Sequence, residues 1–212
     1  MGEQTYTINT YIRENYIMNI FYLHPDPNVA AEMSCDKHCS KMIVESGQML
    51  STAHRLLDGV MYYDKTANGR KIARWRMSDE LLEKELYKAG HVKHPSTLWV
   101  MQSGFNYTWL FNHMLALNEE FKKRYGHTED HLTVKKLKSI LSNPPKNIPW
   151  NVKGTEPPPA MPEYCKVPGD SVASYRKYYI NEKVRFATWK KPAKVPDWYL
   201  KGVKECQNEG VI

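Results

Sequence analysis

Residues 35–50 read CDKHCSKMIVESGQML. On a helix, His38, Lys41, Glu45, Gln48 and Thr52 follow steps of three and four and form one continuous polar stripe. It runs roughly 100° from an apolar stripe made of Cys35, Cys39, Met42, Ser46, Met49, Ala53, Leu56 and Val60. A polar stripe that close to a core face is half-buried, and half-buried polar groups need partners. Two readings compete. In one, the stripe is a solvated flank with a Lys41–Glu45 surface pair. In the other it is a cleft wall in which Lys41 and His38 hold Glu45 as a general acid/base or electrostatic stabiliser. Glu45, Lys41 and His38 are therefore the catalytic candidates. Cys35, His38 and Cys39 also have the ligand types that suit zinc. No second cluster supplies a fourth ligand, however, and small buried cysteines belong to a core, so neither a metal nor a cofactor is expected.

A second group of residues has binding chemistry. Arg176, Lys177, Lys183, Arg185, Lys190 and Lys191 are interleaved with Tyr175, Tyr178, Tyr179, Phe186 and Trp189. Cations neutralise phosphates and flat aromatic rings stack on exposed bases, so Arg176, Lys177, Lys183, Arg185, Trp189 and Lys190 are nucleic-acid-binding candidates. The competing reading has Tyr175, Tyr179 and Trp189 dock this tail on the body. The net charge of +7 is uneven: residues 166–205 hold ten Lys/Arg against four Asp/Glu, and residues 1–165 hold twenty against eighteen. That asymmetry points to a polyanionic partner. His24 and His94 each precede proline, and Asn106 and Tyr107 open a helical run. These four are further cleft candidates, with turn or core roles as the alternative.

The elements that position these groups follow from periodicity and punctuation. Residues 1–17 are expected to be an added arm, and Met18 opens a strand-like apolar run. Asp26-Pro27 caps and starts a helix that is expected to continue to about Leu57. Asn68-Gly69 between two β-prone runs signals a hairpin over about 59–77. Ser78 is expected to cap a helix ending at Gly90, and further helices are expected from 106 to Gly126 and over 128–143. Eight of the thirteen prolines lie in residues 144–168, a stiff connector. Two short helices follow. The expected architecture is mainly α: a helical core domain over 18–143 with one small hairpin, the connector over 144–168, and a basic aromatic helical segment over 169–212 packed on the core.

Composition excludes several classes. No apolar run is long enough to span a bilayer, and the polar N-terminal stretch does not read as a secretion signal. Four cysteines without a CxxC pair fit free thiols in a reducing cytoplasm. The absence of a P-loop, a dinucleotide-binding glycine motif, a zincin motif and a nucleophile elbow removes support for those chemistries.

The segments MNIFYLHPDP, CDKHCSKMIVESGQMLSTAHRLLDG, HPSTLWV, NPPKNIP and VPGDSVASYRKYY together resemble a family of phage and bacterial proteins of uncharacterised activity, over residues 18 to about 200. More remotely, the chain resembles the pyrimidine-dimer DNA glycosylases, small all-α enzymes. The match lies in Met18–Pro25, the long helix after it, HPSTLWV, EEFKKRYG and the basic W-K segment over Lys183–Lys190. The resemblance implies DNA binding and attack on the sugar by the α-amino group of the residue after the initiator methionine, here Asn19 if translation starts at Met18. The chain departs from that pattern where the family carries an Arg-Glu pair on its first helix. It has Asp36-Lys37 there, which leaves Glu45 as the stand-in carboxylate.

The reading is a DNA-binding protein of the cytoplasm (the host's, if phage-encoded). Its seam would support base-excision glycosylase/lyase chemistry on damaged or modified DNA. A non-catalytic nucleic-acid-binding module, and a small-molecule enzyme acting on nucleotides or modified bases, are the alternatives. No membrane association is expected, and oligomeric state is left open.

Overall fold

The computed structural model describes residues 18–208 and 210; the expected arm over 1–17 lies outside the described residues. The architecture is mainly α. Among the described residues, eight α-helices and a single two-stranded antiparallel hairpin make up the regular structure, apart from one 3₁₀ turn at Glu163–Cys165.

The apolar run from Met18 to Leu23 is not a strand. Asn19 folds its side-chain oxygen back to accept from the Ile20 and Phe21 amides, and Phe21 sits in the left-handed region at φ 54°. For a bulky residue that conformation costs about 1–3 kcal/mol and persists only where packing enforces it. Here the segment is buried throughout, and the Phe21 ring lies against four aromatic rings.

The expected long first helix is two helices. Helix α1 spans Pro27–Met33, capped by the Asp26 carboxylate, and α2 spans Asp36–Asp58. Between them Ser34 and Cys35 are extended. The 3–4 periodicity passes through this break because Cys35 stays in the core on either geometry. Arg124 holds the junction together. Its guanidinium, with a fully buried side chain, donates to the Ser34 and Glu32 carbonyls and pairs with Glu120 and Asp36.

Helix α2 ends at the hairpin of β1 (Val60–Lys65) and β2 (Lys71–Arg76), in register from Val60↔Arg76 to Lys65↔Lys71. Val60 is 70% exposed, so the apolar stripe of α2 stops before it. Helix α3 is Glu80–Glu85, capped by Asp79 rather than Ser78 and finished at Leu86, well short of Gly90. Arg55 explains the early stop: it is buried and donates to Tyr87, Trp75, Glu83 and Leu86 carbonyls and to the Glu83 carboxylate. Its place in the last turn of α2 also suits the helix dipole. In the structure it ties α2, β2 and the chain after α3 into one unit.

Helix α4 (Pro95–Gln102), α5 (Gly104–Tyr125) and α6 (Leu132–Leu141) surround α2. Gly126 takes the left-handed conformation that closes α5. Gly47 lets α6 approach α2, since a Cβ there would meet the Thr133 methyl at 2.6 Å. The proline-rich segment is strapped across the start of α5 through Gly104 to Pro149, Ser103 to Val152 and Trp99 to Thr155. Helices α7 (Ser171–Glu182) and α8 (Asp197–Asn208) pack on each other, and Tyr175 and Tyr179 are fully buried. Among the described residues, no helix is long and apolar enough to cross a membrane.

Replacing Arg124 by Met should cost about 3–5 kcal/mol, because buried carbonyls lose their donors and Glu120 loses its fork. Lysine should restore only a minor part, since an ammonium cannot span the same acceptors. Urea denaturation of the two variants checks this, and a loss below about 1 kcal/mol would show that the junction closes without the guanidinium.

Candidate functional site

Glu45 sits on the third turn of α2 and is 8% exposed, which is not the setting of a solvated flank. One carboxylate oxygen accepts from the Asn19 backbone N–H at 3.0 Å. The other lies 3.3 Å from the Lys41 ammonium. Burial pushes the Glu45 carboxyl up from its ordinary value, and the Asn19 N–H, Lys41 and His91 only partly offset that. The i,i+4 spacing on a helix brings Lys41 and Glu45 together. The turn at Asn19 supplies the third partner from another part of the chain. Lys41 stands at the solvent boundary, with 39% of its side chain exposed against 11% for Glu45.

His38 is buried one turn before Lys41, but its hydrogen bond goes elsewhere. Its Nδ1 is 2.5 Å from the Tyr179 hydroxyl, and its ring stacks on Phe21 at 3.9 Å between centroids. The expected His38–Glu45 pairing is thus replaced by a His38–Tyr179 pair joining α2 to α7. Burial, followed by the charges of Lys183, Lys41 and Lys37, holds the imidazole well below its usual range. It is neutral at physiological pH. Three cations thus converge on one neutral ring. Lys37 lies over the Phe186 ring at 4.4 Å, and Lys183 lies over Tyr178 at 4.2 Å and donates to its hydroxyl. Arg185 is 5.7 Å from the Phe186 centroid. The start of α2 and the end of α7 therefore share a basic, aromatic rim beside the seam.

The remaining candidates divide by contact. Lys177 and Arg185 are exposed. Arg176 is half-buried, donates to the Leu23 carbonyl and lies over Trp198, so its charge is largely used in docking. Trp189 donates to the Met33 carbonyl and packs on Tyr199. The Lys190 backbone is bound by the Asp36 carboxylate, while its side chain lies 5.3 Å over Tyr125. His24 and His94 close their own turns by accepting from the Asp26 and Ser96 amides. Asn106 is buried between the Trp99 carbonyl and the Thr155 amide, and Tyr107 between the Leu141 carbonyl and His54. These four are not brought to the seam; their hydrogen bonds hold backbone.

Cys35 and Cys39 are fully buried. Cys39 donates to the Leu117 carbonyl, and burial pushes its thiol up to about 12. Among the described residues no group of three His, Cys, Asp or Glu side chains is placed to hold a metal. A groove of about 520 Å³ lies elsewhere, lined by Met33, Glu120, Lys123 and Trp198 among others, and includes none of the seam residues.

Sequence reasoning missed Asn19 as the partner of Glu45, and Tyr179 as the partner of His38. Both contacts are long-range in the chain, and a backbone N–H carries no residue-type signal. No protein-family model matches the chain, and no match is found among curated proteins or solved structures.

The titration of Glu45 has a definite sign. A carboxyl whose folded value is raised binds its proton more tightly in the native state, so stability falls as pH rises through the window that starts at the ordinary 4.5. Glu45→Gln, which keeps an acceptor for Asn19, should flatten that slope and leave the fold intact. Denaturation midpoints across the acidic to neutral range, compared with the parent chain, provide the check; parallel curves would mean that Glu45 titrates as a solvent-exposed acid.

Proposed function

We propose that the protein binds DNA and acts as a base-excision glycosylase/lyase-like enzyme on damaged or modified nucleotides, in a cytoplasmic setting. The observation that carries the reading is the buried Glu45 carboxylate, bracketed by the Lys41 amine on one side and the Asn19 backbone nitrogen on the other. Such chemistry needs an amine to attack the sugar C1′ and a carboxylate to stabilise the positive charge that develops there. Lys41 must surrender a proton before it can attack, and Glu45 is an acceptor 3.3 Å away whose proton affinity burial has raised. As the new C–N bond forms, the base departs with the bonding pair and takes up a proton. The attacking nitrogen then sheds a proton, the C1′–O4′ bond breaks with O4′ taking up a proton, and a protonated imine is left between enzyme and sugar. In a chain beginning at Asn19, the nitrogen now hydrogen-bonded to Glu45 would itself be an α-amine, the nucleophile that the glycosylase resemblance implies. The rim of Lys37, Lys183 and Arg185, with Phe186 and Tyr178, has the cations and ring faces that a nucleotide moved out of the stack would meet.

Borohydride trapping on an abasic oligonucleotide tests the reading, with the full chain and with a chain whose first residue is Asn19 side by side. An adduct is expected from at least one of them. In whichever form is active, Glu45→Gln should lower the rate by about a hundredfold or more. Lys41→Met should abolish the adduct of the full chain if Lys41 is the nucleophile and spare that of the shorter chain if Asn19 is. No adduct from either chain would overturn the enzyme reading in favour of a non-catalytic binding module.

Binding is tested separately. Replacing Lys177, Lys183 and Arg185 by Gln should weaken DNA binding and lower the log–log salt slope by about 0.9 for each phosphate left unneutralised. Arg176→Gln should instead lower stability, because its guanidinium supports the Leu23 carbonyl. Unchanged affinity and slope in the triple variant would remove the rim from the interface.

A further inference from the structure

The hairpin takes no part in the seam or the rim. None of the β1 or β2 side chains is buried, and three apolar ones face solvent: Val60 at 70%, Tyr63 at 61% and Met61 at 48%. A two-stranded hairpin on its own is marginally stable. This one is held rigidly at its root, where Arg55 donates to the Trp75 carbonyl and Glu83 accepts from the Met77 amide. The far end is ordered as well. Thr66 accepts from the Arg70 amide through its hydroxyl and donates its own amide to the Arg70 carbonyl, and Gly69 supplies the positive φ that the loop requires.

The charge on this arm is one-sided. Residues 60–76 contain Lys65, Arg70, Lys71, Arg74 and Arg76 against Asp64 alone. Among the described residues none of these five cations makes an ion pair. The cations lie on both faces: in this register Lys65 and Lys71 share one face with Tyr63, while Arg74 and Arg76 share the other with Tyr62. Lys71 lies 3.7 Å over the Tyr63 ring, and Arg76 4.9 Å over Tyr62. A protein partner would have to cover cations on both faces of the arm, against the depletion of Lys and other charged groups at protein interface cores. A polyanion meets the same arm without that cost, since its phosphates exchange condensed counterions for the protein's cations. The dimensions agree. Two strands about 4.8 Å apart with their side chains fit a major groove about 12 Å wide, which accepts a two-stranded ribbon.

We propose that the β1–β2 ribbon is a second nucleic-acid contact, one that enters the major groove of a duplex with Lys65, Arg70 and Lys71 at its leading end. The proposal rests on the nucleic-acid reading above but uses none of the residues assigned to the seam or the rim. The ribbon follows directly on α2, which puts its root about 21 Å along the helix axis from Glu45 at about 1.5 Å per residue.

The test uses the full chain with Lys65, Arg70 and Lys71 all changed to Gln, exposed positions away from the root. Binding to a fluorescein-labelled DNA duplex is followed by anisotropy over a range of salt concentrations. The variant should unfold at the parent temperature, bind about tenfold or more weakly at low salt, and show a log–log slope reduced by about 2–3, corresponding to three phosphates at about 0.9 each. Parent affinity and slope in the ribbon variant, while the Lys177/Lys183/Arg185 variant is weakened, would overturn the ribbon contact and leave the nucleic-acid reading standing. A change of sedimenting mass in the ribbon variant with DNA binding unaltered would overturn it in favour of a contact between proteins. If the parent chain binds no duplex at all, both fall. A ribbon effect without a borohydride adduct would support the ribbon and overturn only the proposed chemistry.

Discussion

Arg124 is the interaction on which the rest of the structure depends. A chain that turns between two helices leaves carbonyls without intrahelical partners at the end of the first. At α1 these fall in the interior, where an unmade hydrogen bond costs about 1–3 kcal/mol. One guanidinium, with five donors in a fixed plane, serves the Ser34 and Glu32 carbonyls and is itself neutralised by Glu120 and Asp36. Because Asp36 is also the first residue of α2, the same contact sets where that helix begins. Asp36 then accepts from the Lys190 amide and the Thr188 hydroxyl, and its own amide donates to the Thr188 carbonyl. The start of α2 and the C-terminal segment are thus joined through the residue that Arg124 holds.

The rim beside the seam is a consequence of that arrangement. Once Thr188 and Lys190 are bound at Asp36, the preceding residues bring Lys183 and Phe186 to His38, and Trp189 reaches the Met33 carbonyl. Three lysines around a neutral, buried imidazole would be an unfavourable arrangement if the ring had to carry charge. Tyr179 and Phe21 keep it uncharged and packed. The Lys37 ammonium lies over Phe186 and that of Lys183 over Tyr178, while Lys41 pairs with Glu45. The seam is therefore layered by depth: a buried carboxylate and a neutral histidine beneath, and cations at the surface.

What was legible in the sequence follows the range of the forces involved. The hairpin at Asn68-Gly69 and the stop at Gly126 are local: each needs a residue that tolerates positive φ, and both glycines have it. That Glu45 stands beside the core was legible as well, because helical spacing placed it next to an apolar stripe; its burial beneath Asn19 was not. The break at Ser34-Cys35 was hidden, since Arg124 lies 90 positions from Ser34 and periodicity continues through the turn. The early end of α3 was hidden for the same reason: Arg55 captures carbonyls near Leu86 and Tyr87 that a longer helix would have used itself. Met18–Leu23 carried a strand pattern, but no other strand pairs with it among the described residues. The Asn19 side chain closes the local turn instead. In the tail, docking and display each describe part of the structure. Tyr175, Tyr179 and Trp189 dock, and so does Arg176, whereas Lys177 and Arg185 remain at the surface.

The partition of cations between docking and display also bears on how a function could be acquired without loss of fold. Arg55 and Arg124 are buried, and their donors are engaged by backbone carbonyls and carboxylates, so substituting them would remove structure. Lys37, Lys177, Lys65, Arg70, Lys71 and Arg76 are exposed, and single exposed charges are worth roughly 0–1 kcal/mol in stability. Their number is thus not explained by stability. A surplus of +7 raises self-repulsion in the folded state, and a chain under no other constraint could lower it at these positions at little cost. Cations set beside aromatic rings, at the rim and along both faces of the ribbon, are the geometry on which both proposed polyanion contacts rest.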